Sequence, residues 1–313
     1  MNKQTYEGQK KKQKILVLTI IAIVVVVAII GVVAKFTDKN QETITITVGS
    51  KAFTEQQILG NILADVIETN PQFTVDRKIG LGGTSICWEA LVNGSIDMYV
   101  EYSSGMFMNH LKQDFQPITK DEIIEIIRPL LVEKGVVLGQ RLGFNNDYEL
   151  TVTREYAEEK GLKTIADLKA LANDIVVAPT FEYVNRADGM LGVNSIYGIE
   201  FANVMPMEAG LRYSALNTGD AQVINTFTTD GMKYKLDLVA LEDPENVHLA
   251  QEACIIYNKE TAEKYPELLE TLAVLEEAIT PEAMMEMNYK VDVEGKTPEE
   301  VASEFVKSLG IVK

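Results

Sequence analysis

Residues 80–105 read GLGGTSICWEALVNGSIDMYVEYSSG, and the order of residue types in this stretch decides the fold. The run Gly80-Leu81-Gly82-Gly83 needs backbone freedom that only glycine supplies cheaply. Thr84 or Ser85 is placed to cap a helix whose Trp88, Ala90 and Leu91 lie near one face, and Asn93-Gly94 stops it. Ile96, Met98 and Val100 then alternate with Asp97, Tyr99 and Glu101, the period-two pattern of a strand. Such a strand delivers Tyr102, Ser103 and Ser104 to a loop at its C-terminal end, where α/β sheets place their ligands.

Working outward, Ile44 to Val48 alternates as a first strand, and Thr54 to Gln57 fits a capping box with Thr54 as N-cap. Ile58, Leu59, Ile62, Leu63, Val66 and Ile67 continue as a helical apolar face, and Phe73 to Lys78 reads as a second strand. This half is expected to be a βαβαβ run with a parallel sheet. Thr119 to Glu122 caps a further helix, followed by strand-like Val136–Leu138 and Leu142–Phe144. Asn145-Asn146-Asp147 is a turn run that delivers Tyr148, and Leu150–Thr153 starts a second βα series.

In that series Thr164–Asp167 opens a helix and Ile175–Ala178 is a strand, with a polar, glycine-containing segment from Phe181 to Gly192. Residues 204–207, 221–224, 238–241 and 253–257 read as further strands. Thr280-Pro281-Glu282 and Thr297-Pro298-Glu299 mark two late helix starts, with proline at the first helical position. The expected architecture is α/β, with two lobes and the ligand in the cleft between them. Lobe 1 comprises 44–144 plus 250–313, and lobe 2 comprises 145–249.

The first forty residues hold seven lysines against Glu7 and Asp38, yet the whole chain of 313 residues carries a net charge of −17. An acidic body of this kind repels nucleic acid and anionic lipid. Residues 15–34 form an unbroken apolar run of 20 residues after a basic tail at 1–14, long enough to span a bilayer. The tail lysines belong on the cytoplasmic side, so the expectation is a single-pass membrane anchor, a linker at 35–43 and an extracytoplasmic body. Two distant cysteines, Cys87 and Cys254, and two histidines, His110 and His248, offer little for zinc or triad chemistry. No metal, cofactor or catalytic residue is expected.

Five loops carry groups that a ligand could use: Ser50-Lys51, Tyr102–Ser104, Asn145–Tyr148, Asn185–Gly189 and Thr226–Gly231. Aromatic rings with one lysine and one arginine suit a small molecule that has a cation at one end and a carboxylate at the other. Each residue also has a plainer role available. A loop tyrosine commonly packs with its hydroxyl in water, and Arg186 beside Asp188 can be a surface ion pair.

Six stretches then combine into a resemblance: VGSKAFTEQQILG (48–60), residues 78–105, GFNNDYEL (143–150), EYVNRADGMLGVNSIYG (182–198), residues 210–231 and residues 287–310. Together they resemble the extracytoplasmic substrate-binding proteins of osmoprotectant ABC importers, which take up glycine betaine, choline and carnitine. The resemblance implies a type II periplasmic-binding-protein-like fold, an ABC permease with its ATPase as partners, and no enzymatic activity. It implies that tyrosines box a quaternary ammonium while lysine and arginine hold a carboxylate. Lys51, Tyr102, Tyr148 and Arg186 fall on the family's GSK, PEYTGT, NNTY and LxRxDG motifs respectively. Phe227 replaces the tyrosine of YSTDG, Gln251 stands where a proline-proline-tyrosine run ends, and Val100 and Gly105 replace a proline and a threonine around Tyr102. A lost ring and an added amide imply a larger or more polar ligand than betaine, for example ergothioneine; a sensor ectodomain without transport is the other alternative.

Overall fold

The computed structural model describes residues 43–311. The expected membrane-spanning stretch at 15–34, with its flanking tail, lies outside the described residues. Among the described residues no helix is long and apolar enough to cross a membrane.

Among the described residues, ten strands form two five-stranded sheets. In the first, β2 (Phe73–Gly82), β1 (Ile44–Lys51), β3 (Met98–Tyr102), β10 (Glu252–Asn258) and β4 (Val136–Asn145) lie in that spatial order. In the second the order is β7 (Asn203–Val204), β6 (Val176–Ala178), β8 (Val223–Phe227), β5 (Tyr148–Thr153) and β9 (Leu238–Ala240). The chain leaves the first sheet at Asn145 and returns to it at Glu252, and these two residues are register partners.

That return corrects the expectation of a parallel first sheet. β1 and β3 are parallel, but β10 runs antiparallel to both β3 and β4. A strand coming straight back beside the one that left needs no crossover helix, so it enters antiparallel. Every residue of β3 is buried, as are Glu252 to Tyr257 of β10. The alternation seen from Ile96 to Glu101 is therefore that of a strand covered on both faces.

The helices that frame the site start for local reasons. Helix α1 (Thr54–Ile67) buries Ile58, Leu59, Ile62, Leu63, Val66 and Ile67. Its N-cap is Phe53, and Thr54 is the first helical residue, so the expected capping box is not formed. The Thr54 hydroxyl donates instead to Asp292 Oδ1 at 2.6 Å, a tertiary partner that outcompetes the local one. Helix α2 (Thr84–Val92) likewise has Gly83 as N-cap with no side-chain cap, because β2 runs on through the glycines to Gly82. With φ of 75°, Gly80 bends that strand and sends its N–H to Ser50 Oγ at 2.9 Å.

Helix α3 (Lys120–Glu133) does carry the expected Thr119–Glu122 capping box. The Thr164 segment forms a capping box that opens a 3-10 helix, Ile165–Leu171. Val136–Leu138 and Leu142–Phe144 are two parts of the single strand β4. In the second half, helix α4 (Ala209–Thr218) ends on left-handed Gly219. Helices α5 (Pro281–Asp292) and α6 (Pro298–Ser308) begin with proline, and Thr280 and Thr297 accept backbone N–H bonds as their caps. Helix α6 packs on α1. Cys87 and Cys254 are both buried free thiols in the apolar core around the first sheet. Burial pushes the Cys87 thiol up to about 11, which leaves it protonated and unreactive at neutral pH.

Candidate functional site

Parallel β1 and β3 end side by side, and their last residues are Lys51 and Tyr102. In the second sheet β5 begins at Tyr148 and its antiparallel neighbour β8 ends at Phe227, and these two are direct register partners. Strand ends from both sheets thus open on one cleft of about 850 Å³. Lys51, Tyr102, Tyr148, Arg186, Phe227 and Gln251 all line it. Six positions spread over two hundred residues of chain are brought to one surface.

On the first-sheet side the cation is already partnered. The Lys51 ammonium is ion-paired with Glu101, and both are buried. Glu101 also accepts from the Tyr99 hydroxyl at 2.9 Å and from the Tyr102 backbone N–H at 2.9 Å, and His110 Nε2 lies 3.0 Å away. Burial pushes the Glu101 carboxyl up, but Lys51 and His110 beside it more than reverse this and hold it at about 2. Trp88 stacks on the His110 ring at 4.1 Å and 9°, so the single tryptophan closes this charge network from outside the cleft. An ammonium carries three donors, so Lys51 remains able to bind a second acceptor.

Tyr102 is fixed at both ends. Its ring stacks with Phe53 at 6.4 Å, the Lys51 ammonium stands 5.1 Å from its centroid, and its hydroxyl donates to Glu55 Oε1 at 2.5 Å. Glu55, from the first turn of α1, is buried and lines the cleft. It also accepts from Asn146 Nδ2 at 2.7 Å and Asn288 Nδ2 at 3.0 Å. Burial raises its pKa, and the hydrogen bonds from Thr229, Tyr102, Asn146 and Asn288 oppose that rise. One carboxylate therefore gathers groups from β3, the crossing segment, α5 and the loop after β8.

On the second-sheet side the rings form a wall. Tyr148 and Phe227 lie 4.8 Å apart at 35°, and Tyr183 meets Tyr148 edge-on at 5.2 Å. Tyr183 is held from behind by a 2.7 Å hydrogen bond with His248. Burial lowers the His248 pKa and so favours its neutral form. The Arg186 guanidinium stands 5.3 Å from the Tyr148 centroid and grips Asp188 with two bonds of 2.7 Å. Burial would lower its pKa, but Asp188 reverses the direction. A second arginine, the buried Arg212, lines the cleft 5.9 Å from the Phe227 ring and 3.7 Å from Asp230. Rings set against cations and buried carboxylates suit a small zwitterion.

Residues 44–308 match the OpuAC family, described as the substrate binding domain of ABC-type glycine betaine transport system. This chain belongs to the OpuAC family. It is 32% identical over 268 residues to the ergothioneine transport permease/ergothioneine binding protein EgtU of Helicobacter pylori (strain G27). That alignment takes in 85% of this chain and 48% of the relative, so the chain spans about half of that relative's length. It is 29% identical over 271 residues to the carnitine transport binding protein OpuCC of Listeria monocytogenes, covering 84% of this chain and 86% of the relative. A solved glycine betaine/carnitine/choline ABC transporter structure superposes with a TM-score of 0.75 at 29% identity, covering 85% of this chain and 99% of that one. As an OpuAC protein the chain is a substrate-binding component of an ABC transport system, with a two-sheet periplasmic-binding-protein-like fold.

Three of the cleft residues described above, Glu55, Arg212 and Asn288, were not singled out from the sequence of this OpuAC chain, and Asn146 lay in one of the five candidate loops without being named as a site residue. Glu55 sits inside the stretch taken for a capping box, where a carboxylate near a helix start has a local explanation. Asn146 lay in the turn run that delivers Tyr148, and Arg212 and Asn288 lay in stretches that carried the family resemblance without being named themselves. Only the position of Asn146 next to Tyr148 offered a signal.

Proposed function

We propose that this OpuAC protein captures a small quaternary-ammonium zwitterion or amine of the glycine betaine, choline and carnitine class and delivers it to an ABC permease and its ATPase. The lobes that close on the ligand are 44–144 with 250–313, and 145–249. The apolar segment at 15–34 anchors the body on the outer face of the membrane. Tyr102, Tyr148 and Phe227 face the ligand's cation, Lys51 and Arg186 hold its carboxylate, and Gln251 tunes the choice among ligands. The observation that carries this is the Tyr148–Phe227 wall, set by strand register, facing across one cleft the Lys51–Tyr102 pair at the ends of β1 and β3.

A ligand that binds only the folded protein raises its stability by RT ln(1 + [L]/Kd), about 2.7 kcal/mol at a hundredfold excess over Kd. The melting midpoint of the full chain is therefore expected to rise with millimolar glycine betaine, choline or carnitine, and Tyr148→Leu is expected to abolish the rise. A midpoint unmoved by all three sinks the standard-ligand form of this function.

A second reading keeps the transport role and changes the ligand to the bulkier ergothioneine. Gln251 favours it, because an amide lines the cleft where the family pattern has a ring. Gln251→Tyr is then expected to improve betaine binding, and no gain counts against this version.

A further inference from the structure

Of the large apolar side chains that the described residues leave exposed, only two are aromatic, Phe53 and Phe181. They are 45% and 57% exposed, and both line the cleft. None of the other large apolar side chains exposed among the described residues does so. Phe53 follows the end of β1 in the first sheet, and Phe181 follows the end of β6 in the second. A residue that lines a cleft and is half exposed sits at its mouth, where it faces both water and whatever the cleft holds. A single exposed ring is ordinary, but a pair contributed from both sides to one cleft is apolar surface placed for a ligand.

Local preference does not explain Phe53. It is the N-cap of α1, a position that favours a side chain able to accept from the helix's free N–H groups, and it makes no such bond. Departures of this kind gather at functional sites. The ring is steadied by stacking on Tyr102 at 6.4 Å and 23°. On the other side Phe181 opens the short helix Phe181–Val184, directly after its cap Thr180. Thr180 N donates to Asn225 Oδ1 at 2.7 Å, and Thr180 Oγ1 accepts from Tyr183 N at 3.3 Å, so the backbone that carries Phe181 is pinned. The same turn holds Tyr183, the ring that meets Tyr148 edge-on.

We propose that Phe53 and Phe181 are ligand-binding residues that close over the trimethylammonium end of the ligand from the two sides of the cleft and shut it from water. A trimethylated nitrogen presents apolar methyl groups that share its positive charge. A ring face therefore serves it by burial and by attraction to the cation together. Tyr102 and Tyr148 are each only 5% exposed and make the floor of such a box, and the two phenylalanines are its outer rings. This role rests on the assignment of the cleft as a quaternary-ammonium site.

Calorimetry on the full chain tests it with choline, glycine betaine, carnitine and ergothioneine, which all carry the trimethylammonium group, and the tightest binder is carried forward. Phe181→Ala is expected to weaken that compound roughly tenfold. The melting midpoint without ligand should stay where it is, because this ring is mostly in water. Phe53→Leu is expected to weaken binding and Phe53→Tyr to restore most of it, which separates loss of a ring face from loss of bulk. Phe181→Trp reads the contact directly: its emission should shift to the blue on adding the compound, beyond any change in the unmodified chain, whose single tryptophan is Trp88. A Phe181→Ala protein that binds as tightly as the unmodified chain, or a Phe181→Trp emission that saturating compound leaves unmoved, overturns the role of Phe181. Equal affinities of Phe53→Leu and the unmodified chain overturn that of Phe53. If none of the compounds binds the unmodified chain, the assignment of the cleft falls and this role falls with it.

Discussion

Replacing Glu101 with glutamine tests the charge network beneath the cleft. Lys51 is 5% exposed and Glu101 is fully buried, so the variant leaves an ammonium out of water with no counter-charge. Removing one partner of a buried pair costs about 3–5 kcal/mol, a large part of the roughly 5–15 kcal/mol that holds a domain together. The Tyr99 hydroxyl and His110 also lose a charged acceptor, which places Glu101→Gln toward the upper end. Lys51→Met should cost a similar amount by stranding the carboxylate. The double variant Lys51→Met/Glu101→Gln should cost much less than the two together, because neither charge is then left alone. Urea denaturation of the four proteins, read as midpoint and slope, measures the cycle. Freed of its partner, Lys51 should also tighten binding of a carboxylate-bearing ligand relative to choline, which has no carboxylate. A loss below about 1 kcal/mol for Glu101→Gln, or a double variant equal to the sum of the singles, would refute the reasoning.

Three further outcomes follow from the same structure. Asp147, which accepts the Gln251 backbone N–H at 2.5 Å, has its carboxyl raised by burial from 3.8 to about 6. The folded state then holds its proton more tightly than the unfolded chain, so this group's contribution to stability falls as pH rises from about 4 to 6 and is level above. Asp147→Asn should remove that fall, as read by melting midpoints across the window, and an unchanged profile would contradict the assignment. Gly231→Ala places a methyl against the backbone of Asn288 and Tyr289, which cannot swing aside, and should cost about 1–3 kcal/mol and weaken ligand binding. Thr297→Ala removes the side chain that accepts from Glu300 N at the start of α6 and should cost about 1 kcal/mol with ligand affinity unchanged.

What the sequence determined by itself was local. Period-two alternation marked β1 and β3, threonine with a carboxylate three residues on marked the start of α3, Thr-Pro-Glu marked the starts of α5 and α6, and asparagine with aspartate before Tyr148 marked the crossing between sheets. These signals are legible because they depend on neighbours within a turn of chain. Motif order carried the family and named six residues that do line one cleft. What only the tertiary structure decided involves partners far apart in the chain. Thr54 gave up its cap for Asp292, and β10 entered antiparallel because it returns beside β4. Lys51 found Glu101 fifty residues away, and Glu55 joined Tyr102, Asn146 and Asn288. A carboxylate near a helix start or an asparagine inside a helix has a sufficient local explanation, and only burial together converts them into a site. Burial removes water as the alternative partner, so each polar atom must be answered from within the fold, and Asn288 Oδ1 is one that the described protein does not answer.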